Sequence, residues 1–163
     1  MNKFGAKPRP GGTGARRLFC GGAGQAAVEF AIAVPLMLTI LLAVVVMGIA
    51  FNNYLALTFA TDTGTQVLSI SRGQTTDPCA TTSAAVYGAA PQLTQSNLKF
   101  TIVLNSTTVA NNVASPSCSG SQQYLVQASN AQVTVTYPCN LKILGFNPVP
   151  TCVLTAQTAV LIQ

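Results

Sequence analysis

Gly24–Phe51, GQAAVEFAIAVPLMLTILLAVVVMGIAF, decides the architecture of this 163-residue chain. From Ala31 to Phe51 it runs for 21 residues without a charge, and about 20 apolar residues suffice to cross a bilayer core as a helix. One carboxylate, Glu29, stands just ahead of the run. Drawing such a charge to the bilayer centre costs roughly 2.5–3.5 kcal/mol, so its placement marks a functional position. Pro35 removes one backbone donor near the start of the run, a loss that membrane helices accommodate when neighbouring groups re-satisfy the freed carbonyl.

Residues 1–24 are rich in Gly, Pro, Lys and Arg and contain no hydrophobic run, which predicts an unstructured basic leader. Five of the eight basic residues (Lys3, Lys7, Arg9, Arg16, Arg17) fall there, and none lies between Phe51 and Arg72. This asymmetry orients a single span with its N-terminus inside and its C-terminal part outside. The expected location is the inner (cytoplasmic) membrane. A secretory signal peptide has an apolar region of only about 7–15 residues, too short to describe this run. Arg16-Arg17-Leu18-Phe19 has the outline of a twin-arginine signal, but paired arginines are ordinary in a basic leader. Cys20 lacks the preceding apolar stretch of a lipid-modified cysteine.

Beyond the leader, Arg72, Lys99 and Lys142 balance Glu29, Asp62 and Asp77. A side-chain-neutral remainder removes the electrostatic case for nucleic-acid binding. Residues 25–51 are expected to form the transmembrane helix and residues 52–73 an amphipathic stalk continuing it, with Phe51, Tyr54 or Leu55, and Thr58 or Phe59 marking an apolar side. Gly73 is the expected C-terminal cap, and Gly64 weakens the stalk by about 1 kcal/mol and marks a bend.

Residues 74–163 read as a β-rich head. Gln74–Pro91 is expected to be a loop with a short helix around Ser83–Ala89. Strands are expected at Leu98–Leu104, at about Tyr124–Ala128 continuing or restarting through Gln132–Tyr137, and at Cys152–Ile162. In Gln132–Tyr137 alternation is strict, with Val133, Val135 and Tyr137 on one face. The predicted fold class is α+β: a long N-terminal helix packed on a small antiparallel, disulfide-stapled sheet. Four cysteines lie in the head, Cys79, Cys118, Cys139 and Cys152. An even number in a small exported head points to two disulfides among three possible connectivities; the expected pairs are Cys79–Cys118 and Cys139–Cys152. A small head needs such staples.

Gly24, then Gln25-Ala26-Ala27-Val28-Glu29-Phe30, resembles the processing site of type IV pilin-like precursors. The continuation AIAVPLMLTILL and the stretch to Arg72 resemble, more narrowly, the TadE-like minor pilins of the tight-adherence (Flp) pilus system. The resemblance covers about residues 20–72. It implies cleavage between Gly24 and Gln25 by a prepilin peptidase, and a role for Glu29 and Phe30 in assembly and register. Other pilins, the pilus assembly machinery and membrane lipid are the implied partners, and incorporation into extracellular pili is the implied fate.

Catalysis has little material. The chain has no histidine and three side-chain carboxylates, Glu29, Asp62 and Asp77, so no acid–base dyad or triad can be assembled from it. No catalytic residue, cofactor, metal or small-molecule substrate is expected, since the cysteine spacings form no CxxC pair. Asn105-Ser106-Thr107 matches a short glycosylation sequon, which a pilin-like leader argues against using. The alternative from another class is a signal-anchored envelope protein whose stapled head binds a partner or ligand. In that case the mature chain would be uncut or would begin near Phe51.

Overall fold

The computed structural model describes residues 23–139 and 151–163. The leader through Gly22, including Cys20 and the paired arginines, lies outside the described residues, as does Lys142 between the last two cysteines. The chain divides into two units, residues 1–40 and 41–163.

The long helix α1 spans Ala23–Ser69. In the first unit, residues 23–40 are helical, and residues 24–40 are all exposed, Pro35 included. Thr39 donates to Leu36 O at 2.8 Å, so its hydroxyl is satisfied by its own helix.

In the second unit α1 begins to bury side chains at Leu57. Its covered stripe is Leu57, Ala60, Thr61, Gly64, Thr65, Leu68 and Ser69, at the three- and four-residue spacing of a helix face. This is not the face the sequence suggests. Phe51, Tyr54, Leu55 and Phe59 stay exposed, Phe59 by 65%. Helix α2 explains the difference. A Cβ added at Gly64 would lie 2.4 Å from Val86 Cγ2 and 3.2 Å from Thr82 O, so the crossing admits only small residues. Gly64 is therefore a point of close approach between the two helices. Thr61 and Thr65 are buried on the same stripe, and their hydroxyls donate to Leu57 O and Thr61 O at 2.7 Å, leaving only methyl and methine surface to bury.

Helix α1 stops three residues short of Arg72. Ser71 turns its backbone N–H and its hydroxyl onto Leu68 O. Gly73, with φ +71°, serves the following turn, closed by Gln74 N–H on Ser71 O, rather than the helix cap.

Helix α2 spans Pro78–Ala89, five residues earlier at its start than the expected Ser83. Asp77 caps it, its side chain accepting from Ala80 N–H, and Pro78 fills the first turn, where its missing N–H costs nothing.

The sheet has four antiparallel strands in the order β2-β1-β3-β4: β1 Lys99–Leu104, β2 Thr107–Val113, β3 Asn130–Pro138 and β4 Val153–Leu161. Strands β1, β3 and β4 lie where their runs of Val, Ile, Thr and Tyr predict them, and β2 is an additional strand. A two-residue turn, Asn105-Ser106, joins β1 to β2, both with φ > 0 as hairpins of this length favour. The expected strand at Tyr124–Ala128 does not form. A short 3₁₀ turn covers Ser121–Tyr124, and Ala128, at φ +61°, sends its N–H to Ile162 O. Only Leu125 of that stretch is buried, so no alternating face exists to hold it in a sheet.

One face of the sheet forms the core. Phe100 faces Val135, Ile102 faces Val133 and Leu104 faces Ala131 across β1 and β3, and all six are fully buried. They join one cluster with Leu57, Ala60 and Leu68 of α1 and Cys79 and Val86 of α2. Tyr87 stacks edge-on against Phe100, ring centres 5.5 Å apart, and its hydroxyl donates to Ala114 O. The result is an α+β fold in which the long helix packs on an antiparallel sheet. Two disulfides, Cys79–Cys118 and Cys139–Cys152, staple it.

Candidate functional site

Two places gather polar side chains with distinct chemistry. The first is the start of α1. Gly24 and Gln25 are helical, and nothing lies within 4 Å of a Cβ added at Gly24. Glu29 follows Gln25 by one helical turn, and Gln25 Nε2 donates to Glu29 Oε1 at 3.3 Å. Around this pair the surface is apolar: Val28, Phe30 and Ile32 are exposed by 61, 71 and 72%. Gly24, Gln25, Glu29 and Phe30 thus fall on one short exposed segment.

A helix apolar on all sides is stable when buried or in lipid. Here an 18-residue window reaches a mean hydropathy of 2.8 with none of it buried. The segment is a candidate membrane span near the N-terminus, consistent with a single-pass membrane protein.

The second place is a polar knot in the head that sequence reasoning missed. The Asp77 carboxylate caps α2 through Ala80 N–H and also accepts from Cys118 N–H at 2.9 Å, Ser117 Oγ at 2.6 Å and Ser119 Oγ at 3.3 Å. Partial burial pushes this carboxyl up, but the hydrogen bonds from Ser117, Cys118, Ala80 and Ser119 outweigh it and hold it below the ordinary aspartate value. Beside it, Cys79 N–H points at Cys118 Sγ at 3.1 Å. The carboxylate and both sulfurs lie within 4.8 Å of one another. A bridged sulfur is not the thiolate that binds metals, so the group ties a loop to a helix start. The adjacent Asp77-Pro78 pair is the signal that could have found it.

A cleft of about 550 Å³ near the ends of β1, β3 and β4 is lined by Ser96, Asn97, Lys99, Asn112, Thr136, Pro138 and Val153. Hydroxyls, amides and one ammonium line it, and these contain no acid–base pair.

An apolar, exposed helix start with Glu29 near its beginning, on a chain with a stapled α+β head, is consistent with a single-pass membrane protein. Residues 24–66 match the family model described as TadE-like protein, a likeness that covers most of α1 and none of the sheet. Neither a curated protein nor a solved structure matches this chain.

Proposed function

We propose that this chain is a minor pilin or pseudopilin of a tight-adherence (Flp-type) pilus, a structural subunit rather than an enzyme. The observation that carries the proposal is the helix itself: residues 24–40 are apolar and exposed, bear a lone Glu29, and lie within the TadE-like match. A Tad pilus-associated role follows from that likeness; the steps below go further.

The precursor sits in the cytoplasmic membrane with its basic end inside and its head outside. A prepilin peptidase cuts between Gly24 and Gln25. The bond lies in the first helical turn, whose N–H groups have no intrahelical partners, so drawing it out into an extended strand disrupts few hydrogen bonds. Gly24 carries no side chain to obstruct entry into a narrow site.

Cleavage creates an α-amino group on Gln25, four residues before Glu29. Groups at this spacing share a helix face, so amine and carboxylate neutralise each other while the subunit waits in lipid. On extraction into a fibre the carboxylate exchanges to the amine of an adjacent subunit. An unpaired charge in an apolar bundle costs several kcal/mol, which penalises wrong axial registers. The partners are the peptidase, other pilins and the assembly machinery.

Glu29→Ala tests this role. The variant is expected to insert and be cleaved like wild type but to fail to co-assemble with other pilins, read by immunoblot of sheared pili. Wild-type levels of the variant in pili would leave Glu29 as an interfacial residue only.

A further inference from the structure

The two edges of the sheet differ in kind. Strand β2 is irregular: its pairing with β1 shifts register between Phe100 and Ile102 and again between Ile102 and Val103, and Asn112 takes φ +53°. Bulges of this sort are how proteins prevent an edge from accepting another strand. Strand β4 has no such device. Its nine residues, VLTAQTAVL, pair with β3 without a break from Val153 to Leu161. They include no charge, no proline and no glycine.

The backbone orientation of β4 is fixed at both ends. Cys152 O accepts from Cys139 N–H, and Ile162 N–H donates to Ser129 O. Even-numbered residues therefore direct their backbone groups at β3. By the two-residue period of a strand, Val153, Thr155, Gln157, Ala159 and Leu161 direct theirs outward. Among the described residues no strand lies beyond β4. The chemistry that satisfies such a row is another extended backbone.

The sequence of β4 points to which one. Read outward from Gln157 it is nearly symmetric: Ala156 mirrors Thr158, Thr155 mirrors Ala159, Leu154 mirrors Val160, and Val153 mirrors Leu161. A two-fold antiparallel pair centred on Gln157 would set aliphatic against aliphatic and threonine methyl against alanine methyl at each step, on both faces. Self-pairing about a two-fold axis brings each residue near its own copy or its mirror position, where a like charge would repel; β4 carries none. We infer that β4 is a homodimerisation edge, joining two copies of this chain into one eight-stranded antiparallel sheet through a Gln157–Gln157 hydrogen-bonded pair. The inference does not depend on the filament reading, since it concerns the head alone.

The test uses the full chain in detergent, in a Cys20→Ser background so that no leader thiol interferes. Gln157→Cys is treated with a short bismaleimide, with the exposed Thr108→Cys on β2 as control. Directly opposed residues of a hydrogen-bonded pair have Cα atoms about 5.5 Å apart, so Gln157→Cys is expected to give mostly cross-linked dimer and Thr108→Cys none. A charge swap removes the ambiguity of association through α1. Gln157→Lys alone and Gln157→Glu alone are expected to lose the sheet-edge contact, and their mixture to regain it, read by cross-linking through Thr155→Cys and Ala159→Cys added to the two chains. Equal cross-linking at Gln157 and Thr108 overturns the inference, as does undiminished pairing of Gln157→Lys. A β4 edge protected only when a different protein is added would also overturn it, by assigning the edge to another partner.

Discussion

Asp77 shows how one side chain can organise a small head. It caps α2 and holds the loop from Ser117 to Ser119, so Asp77→Ala is expected to destabilise the head by about 1–2 kcal/mol. Chemical denaturation of the oxidised protein measures this. Because the folded carboxyl is held below its ordinary value, its contribution is present above the unfolded aspartate value of about 3.9 and is lost as pH falls through the lower folded value. Wild type should lose stability on acidification below about pH 4, and the Asp77→Asn variant should show a shallower slope there. Sequence alone holds a signal for only part of this knot, and the reading that starts the helix at Ser83 passes over it. Asp77-Pro78 announces a helix start, but the sequence places Ser117 and Ser119 some forty residues away and gives no sign that they converge on it.

At the scale of elements, the crossing of α1 and α2 depends on Gly64. Alanine there gains up to about 1 kcal/mol of helix propensity, yet its methyl meets Val86 Cγ2 and the Thr82 carbonyl, and overpacking of this kind costs about 1–3 kcal/mol. Gly64→Ala is expected to be net destabilising in wild type and neutral or stabilising in a Val86→Ala background, an interaction that a double-mutant cycle of unfolding free energies reads directly. The same crossing explains which elements were legible. Strand β3 was, because Val133, Val135 and Tyr137 alternate with polar residues and are buried as that pattern demands. Strand β2 was not: only Ala110 of its seven residues is buried, so it carries no hydrophobic period. The stalk misled for the opposite reason. Its largest apolar residues, Phe51 and Phe59, face outward, while glycine, alanine and self-bonded threonines make the contact.

Across the whole molecule, the head relies on its two staples because a single small core supplies little margin. Removing Cys79–Cys118, which closes a separation of 39 residues, is expected to cost about 4 kcal/mol by chain entropy; Cys139–Cys152, closing 13, about 3 kcal/mol. Paired Cys→Ala variants should rank in that order by unfolding midpoint. The N-terminal end of α1 makes no use of these staples. In the proposed function its exposed apolar surface passes from lipid to neighbouring helices on assembly, and cleavage of the leader separates the two states. Intact mass spectrometry of the non-reduced protein, purified from cells with an active prepilin peptidase, tests this most directly. The account predicts a chain that begins at Gln25 with Cys79, Cys118, Cys139 and Cys152 all oxidised; a chain that retains Met1–Gly24, or one that begins near Phe51, would contradict it.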